Sequence, residues 1–220
     1  IDIRSCQMKC LDARSRSTDL TALAKGSGAV AAISGGFFLY SEPDIQAPSK
    51  RTDPVGLLVE NGRTIGPPVF RRAALLQKKN TSDETEEGNS CFCIEKVGMD
   101  GATCIFNFNA TDDGPNVRLP VYSYTSLCIK LTVGKDNVRC IHRGDTNGAI
   151  VTEHECAFMI VGDQVIHAHV LPYPIKAPVP LAGFVLVFPR TLYPNMIELL
   201  DGSREMPNLT YSLRYELPEP

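Results

Sequence analysis

The chain has 220 residues, 43% hydrophobic and 21% charged, with net charge −3, eight cysteines and no tryptophan. That length can bury a core without staples, and the apolar content excludes a disordered protein. No apolar run approaches the roughly 20 residues of a membrane helix, and the near-neutral charge offers no footprint for nucleic acid. No charged-then-apolar leader opens the chain, which begins Ile1-Asp2-Ile3 without Met and reads as trimmed at its start.

In chain order, Ile1 to Arg4 alternates apolar and polar residues, the period of a half-buried strand. Ser17-Thr18-Asp19 before Leu20, Leu23 and Ala24 predicts a helix start, and Lys25-Gly26 a stop. Ala29 to Ile33 predicts a short buried strand running into Ser34-Gly35-Gly36-Phe37-Phe38, where two glycines permit a tight turn. Ser41 to Thr52, with two prolines, reads as a long loop. Val55 to Glu60, Asn61-Gly62 and Arg63 to Ile65 predict a type I′ hairpin, since both turn residues tolerate positive φ. The polar stretch Lys78 to Ser90 reads as an exposed loop.

A second hairpin is expected over Cys91 to Phe108, turning at Asp100-Gly101, and a third over Cys156 to Val170, turning at Gly162-Asp163. Val121 to Val133, Val138 to His142, Gly183 to Phe188 and Leu209 to Glu216 are further strand candidates. The fold class is therefore α+β, with a mainly antiparallel sheet and one short helix.

Three segments recur in a recognisable order: Gly28 to Phe38, Asp53 to Arg63 (DPVGLLVENGR), and Gly66-Pro67-Pro68 followed by Arg71-Arg72-Ala73-Ala74-Leu75. This series resembles the N-terminal half of the phosphodiester glycosidase domain family, which includes the lysosomal uncovering-enzyme type. Leu181 to Leu186 is similar to a Gly-aromatic-Val-Leu strand of that family. Where the family has Asn, this chain has Ser34, which offers one hydroxyl in place of a carboxamide. The family's C-terminal segments, such as an Asp-Gly-Gly-Gly-Ser-like loop, do not occur before Pro220. The resemblance thus makes residues 1–220 the N-terminal portion of an incomplete domain. Its C-terminal part is the expected partner, either as a second polypeptide or as further chain.

The resemblance implies hydrolysis of a sugar-1-phosphodiester, a glycan or sugar-phosphate ligand, and no cofactor. It places Ser34, Gly35, Gly36 and Arg72 at the substrate and Asp53 as a catalytic carboxylate. Asp53 beside Pro54 equally suits a turn-former, and Arg71 or Arg72 a solvent-facing side chain. A secreted, non-catalytic structural or recognition protein on the same scaffold is the alternative.

No Cys-x-x-Cys spacing signals zinc or a redox motif among Cys6, Cys10, Cys91, Cys93, Cys104, Cys128, Cys140 and Cys156. Their even number favours disulfides and a secreted or lumenal location over buried thiols in the cytosol. Spacing assigns no connectivity to them; Cys6–Cys10, close in sequence, and Cys91–Cys104, across the expected second hairpin, are two of the many pairings left open. Sequons at Asn80, Asn109 and Asn208 point to the same route.

His167-Ala168-His169 puts two imidazoles on one strand face, either a metal pair or an exposed surface, and no third ligand stands nearby in sequence. His142 and His154 read as isolated surface residues. Arg143-Gly144-Asp145 matches a receptor-recognition tripeptide but also suits an ordinary turn.

Overall fold

The computed structural model describes residues 8–11, 19–35, 55–79, 90–110, 127–193 and 209–218. Among the described residues, helix α1 (Leu20–Ser27) precedes thirteen strands. These are β1 (Leu58–Glu60), β2 (Arg63–Gly66), β3 (Arg72–Lys79), β4 (Ser90–Val97), β5 (Thr103–Ala110), β6 (Leu127–Thr132) and β7 (Arg139–Ile141). They continue with β8 (Ala149–Thr152), β9 (Glu155–Val161), β10 (Gln164–His169), β11 (Ile175–Pro178), β12 (Gly183–Pro189) and β13 (Leu209–Glu216). Every strand pairing among the described residues is antiparallel. The protein is therefore mainly antiparallel β with one short helix.

Two apolar runs organise the core. β9 and β12 lie side by side in the sheet β10-β9-β12-β7. Alternate residues of a strand face opposite ways, so a run apolar throughout is buried on both faces. Phe158 and Ile160 of β9 join Phe184, Leu186 and Phe188 of β12 in one cluster. Ala157 and Met159 with Val185 and Val187 form the other.

The sheet β13-β5-β6 covers the first face with Phe106, Phe108, Ile129, Leu131, Leu213 and Tyr215. The pair β11-β8 covers part of the second with Ile150, Ala177 and Val179. Three layers result. Edge-to-face contacts of Phe158 with Phe106 and Phe188, each at 5.1 Å, fix the ring packing between the first two. The hydroxyls of Tyr211 and Tyr215 donate to the carbonyls of Val165 and Gly162, tying the β13 edge to the β9–β10 hairpin.

Local signals hold where a side chain meets its own backbone. Asp19 caps α1 by accepting from the Ala22 N–H at 2.7 Å. The helix runs through Gly26 and stops one turn-residue later, at Gly28, whose φ of 69° is left-handed. Asn61 and Gly62 both have positive φ and join β1 to β2, as a type I′ turn requires. Gly162, also at positive φ, begins the two-residue link between β9 and β10.

Three expectations are corrected. β4 and β5 do not pair: β4 pairs with β3, and β5 with β6 and β13. The chain does reverse at Asp100-Gly101, but Gly101 donates its N–H to Val133, so the turn hands the chain to another sheet. Ala29 to Ile33 is no strand, and Val30 and Ile33 stand 87% exposed, because α1 buries nothing against which they could pack. The polar loop is narrower than 78–90, since Lys78, Lys79 and Ser90 belong to β3 and β4. Its interior, the long loop from Ser41 and the strand candidate at Ile1 to Arg4 lie outside the described residues.

Candidate functional site

Gly66 to Val69 is buried and anchors the segment ahead of β3. The next residue, Phe70, has φ +59°, a conformation that an aromatic side chain seldom adopts. That backbone costs about 1–2 kcal/mol, and ring packing offsets it. The ring sits 5.2 Å from the His142 imidazole. It also passes over Gly144, where a Cβ would come within 2.8 Å of it. The Arg72 guanidinium lies 5.7 Å from the centre of the same ring and stays exposed. Arg71 turns elsewhere and pairs with Asp100 at 3.1 Å in open solvent.

His142, expected at the surface, is buried. Its Nε2 lies 3.6 Å from the Cys140 sulfur, and its Nδ1 has no hydrogen-bond partner. Burial pushes its pKa below the ordinary 6.5, while the Gly183 backbone and the charges of Asp145 and Asp100 act the other way. The imidazole is thus neutral near pH 7 and able to accept a proton. Burial also drives the Cys140 thiol far up, so this Cys–His contact holds no thiolate nucleophile. The Cys140-x-His142 spacing was the only signal for His142 in the sequence, and it does not separate core from site.

The tripeptide 143–145 is a 3-10 turn bound into this cluster. Asp145 Oδ2 accepts the His142 N–H at 2.9 Å, and Arg143 reaches the Val179 carbonyl at 3.4 Å. Gly144 lies beneath the Phe70 ring, while Gly144 and Asp145 themselves stay exposed.

The structure does not bring the whole expected site together. Ser34 and Gly35 are exposed, and no atom lies within 4 Å of a Cβ built on Gly35. Gly36, Asp53, Asn80 and Asn208 fall outside the described residues. Asn109 lies on β5 opposite Thr210. His167 and His169 share a strand, but a bulge precedes them and only His167 is exposed. His169 is buried with Nε2 3.0 Å from the Tyr173 carbonyl, and burial lowers its pKa. No group of three potential metal ligands occurs among the described residues.

The cysteine expectation changes as well. Cys10, Cys104, Cys128, Cys140 and Cys156 carry unbridged thiols. Cys104 is among these free thiols, so the Cys91–Cys104 pairing is not formed, and burial raises the Cys104 pKa to about 12. Cys6 lies outside the described residues, so Cys6–Cys10 does too. No described helix is long and apolar enough to cross a membrane.

Fold and site together define a layered antiparallel β protein with an aromatic-backed arginine beside a buried histidine. No family model and no curated protein matches the chain. A solved structure described as a hypothetical protein from Synechocystis aligns with 90% of this chain at 12% identity and a TM-score of 0.27. The chain spans 30% of that protein's length, and a likeness this slight carries no argument.

Proposed function

We propose that the chain is the N-terminal part of a phosphodiester glycosidase-like hydrolase, secreted or lumenal, that cleaves a sugar-1-phosphodiester once its C-terminal part is present. The carrying observation is Arg72. Its guanidinium is exposed but backed by Phe70, in the segment that resembles the family. A fork of donors held this way suits a phosphate oxygen pair. Water is consumed, and the free sugar and a phosphomonoester leave. Nothing lies within 4 Å of the Cβ position of Gly35, which leaves room for approach by a ligand. Asp53 is the proposed carboxylate, with Ser34 and Gly36 lining the substrate. The sequons support the secretory route.

A non-catalytic recognition protein on the same scaffold is the second reading, favoured by Ser34 standing where the family has Asn. Release of free N-acetylglucosamine from UDP-N-acetylglucosamine and from an N-acetylglucosamine-phosphate-mannose diester tests both on the full-length protein. Arg72→Ala should lower kcat/KM by about tenfold or more. No sugar release by the unaltered protein, or equal rates for the variant, refutes the enzyme reading.

A further inference from the structure

We infer that Cys104 and Cys140 are a disulfide pair, a covalent staple between the two main sheets when the protein matures in an oxidising compartment. Both carry thiols in the structure, so the bond belongs to the oxidised protein. The inference rests on the secretory route proposed above and not on the hydrolase reading.

One corner of the fold holds both residues. In the pairing of β5 with β6, Cys104 stands opposite Leu131, and Thr103 opposite Thr132. Successive residues of a strand face opposite ways. The Thr103 and Thr132 hydroxyls meet at 2.8 Å on one face, while Cys104 and Leu131 are buried on the other. Backbone bonds then fold the chain over. Gly101 donates to the Val133 carbonyl, Val133 to Ala102, and Gly134 to Val138 at 2.9 Å. By this turn the chain leaves β6 and enters β7 in the other sheet, and Cys140 follows shortly after Val138.

Cys140 lies opposite Leu186 of β12. Leu186, Cys104, Leu131, Val133 and Val138 belong to one core cluster, and Cys140 packs against it. Charge on Cys104 is felt at Cys140, and Asp100, from the same corner, acts on both Cys140 and His142. Stacked sheets stand about 10 Å apart, a gap that an inter-sheet disulfide spans in immunoglobulin-type sandwiches. Other described thiols are placed differently. Cys156 lies on β9, separated from β7 by β12, and is hydrogen-bonded to Arg190. Cys93 belongs to the β3–β4 pair, with its sulfur 3.5 Å from Glu95.

The bond forms by exchange with a small-molecule or protein disulfide, the oxidant of such compartments. One cysteine thiolate attacks that disulfide and displaces one thiol. The second cysteine attacks the mixed disulfide and displaces the other. The pair gives up two electrons and two protons, and the oxidant ends as two thiols. Burial raises the Cys104 pKa to about 12 and pushes Cys140 up as well, so neither forms a thiolate readily once the core has closed. Exchange therefore belongs to folding, and the finished bond is shut away from reductants.

The test refolds the full chain from denaturant in a glutathione redox buffer, alkylates it, digests it with trypsin without reduction and maps the products by mass spectrometry. A linked pair of peptides 97–118 and 140–143, which hold Cys104 and Cys140, is expected. Both peptides alkylated, or either joined to a different cysteine, overturns the inference. Thermal unfolding of the protein secreted from a eukaryotic host gives a second reading. Reductant should lower its Tm by about 5–10 °C more than it lowers that of the double variant Cys104→Ala with Cys140→Ala. Equal losses in the two proteins also overturn it. Fractionation of expressing cells tests the secretory route separately: a chain found only in the cytosol refutes that route, whereas the refolding map still decides the pairing.

Discussion

Gly183 opens β12 opposite Val161 of β9. A Cβ there would lie 2.0 Å from the Ile160 carbonyl oxygen and 3.0 Å from both its carbon and Pro180 Cγ. Contacts below 3.0 Å require something to move, and here the obstacle is backbone. Gly183→Ala must therefore open β9 from β12 by about 1 Å at this end. The displaced groups are costly ones. Phe184 and Ile160, paired across the strands, are both 0% exposed and belong to the main core.

Losing one or two ladder hydrogen bonds costs about 1 kcal/mol each, and forcing the packed core apart a further 1–3 kcal/mol, roughly. We expect a loss of about 2–5 kcal/mol, a large part of a typical domain's stability. Urea unfolding followed by far-UV circular dichroism measures it. Gly26→Ala is the control, because nothing lies within 4 Å of its Cβ position and it sits in exposed α1. That variant should be neutral or stabilising by up to about 1 kcal/mol. A Gly183→Ala midpoint within about 1 kcal/mol of the unaltered protein would refute the close-approach argument.

Two further outcomes follow from buried groups. Tyr215→Phe, which strips the hydroxyl from the Gly162 carbonyl, should destabilise by about 1–3 kcal/mol and speed amide exchange in the β9–β10 hairpin; unchanged exchange there would show that the tie is idle. The pKa values of His142 and His169 are lowered by burial, so the unfolded chain binds protons first as pH falls. Their stabilising effect is complete above the ordinary 6.5 and declines below it, towards the lowered folded-state values. Urea midpoints should fall between pH ~7.5 and pH ~5.5, and less steeply in His142→Gln; a slope that His142→Gln leaves unchanged would assign the effect elsewhere.

Short-range chemistry was readable from the chain. Asp19 as a helix cap, Asn61-Gly62 as a hairpin and Gly162-Asp163 as a second one each depend on a residue and its near neighbours. The Asp100-Gly101 turn was equally readable, yet its strands were paired wrongly. A turn residue dictates that the chain reverses, not which edge the next strand joins. Val133 and β13, distant in sequence, decided that. The Val30 to Ile33 segment misled for the related reason that an apolar run shows what could be buried but not what is there to cover it.

The sequence by itself determined the class of protein. The segments at 156–170 and 183–188 read as strands, and Asp19 before Leu20, Leu23 and Ala24 read as the start of one short helix. Tertiary structure alone decided the sites. It buried His142 beneath Phe70 and fastened 143–145 to Val179 and His142. Those contacts join residues far apart along the chain, and their energies depend on burial that no local spacing encodes.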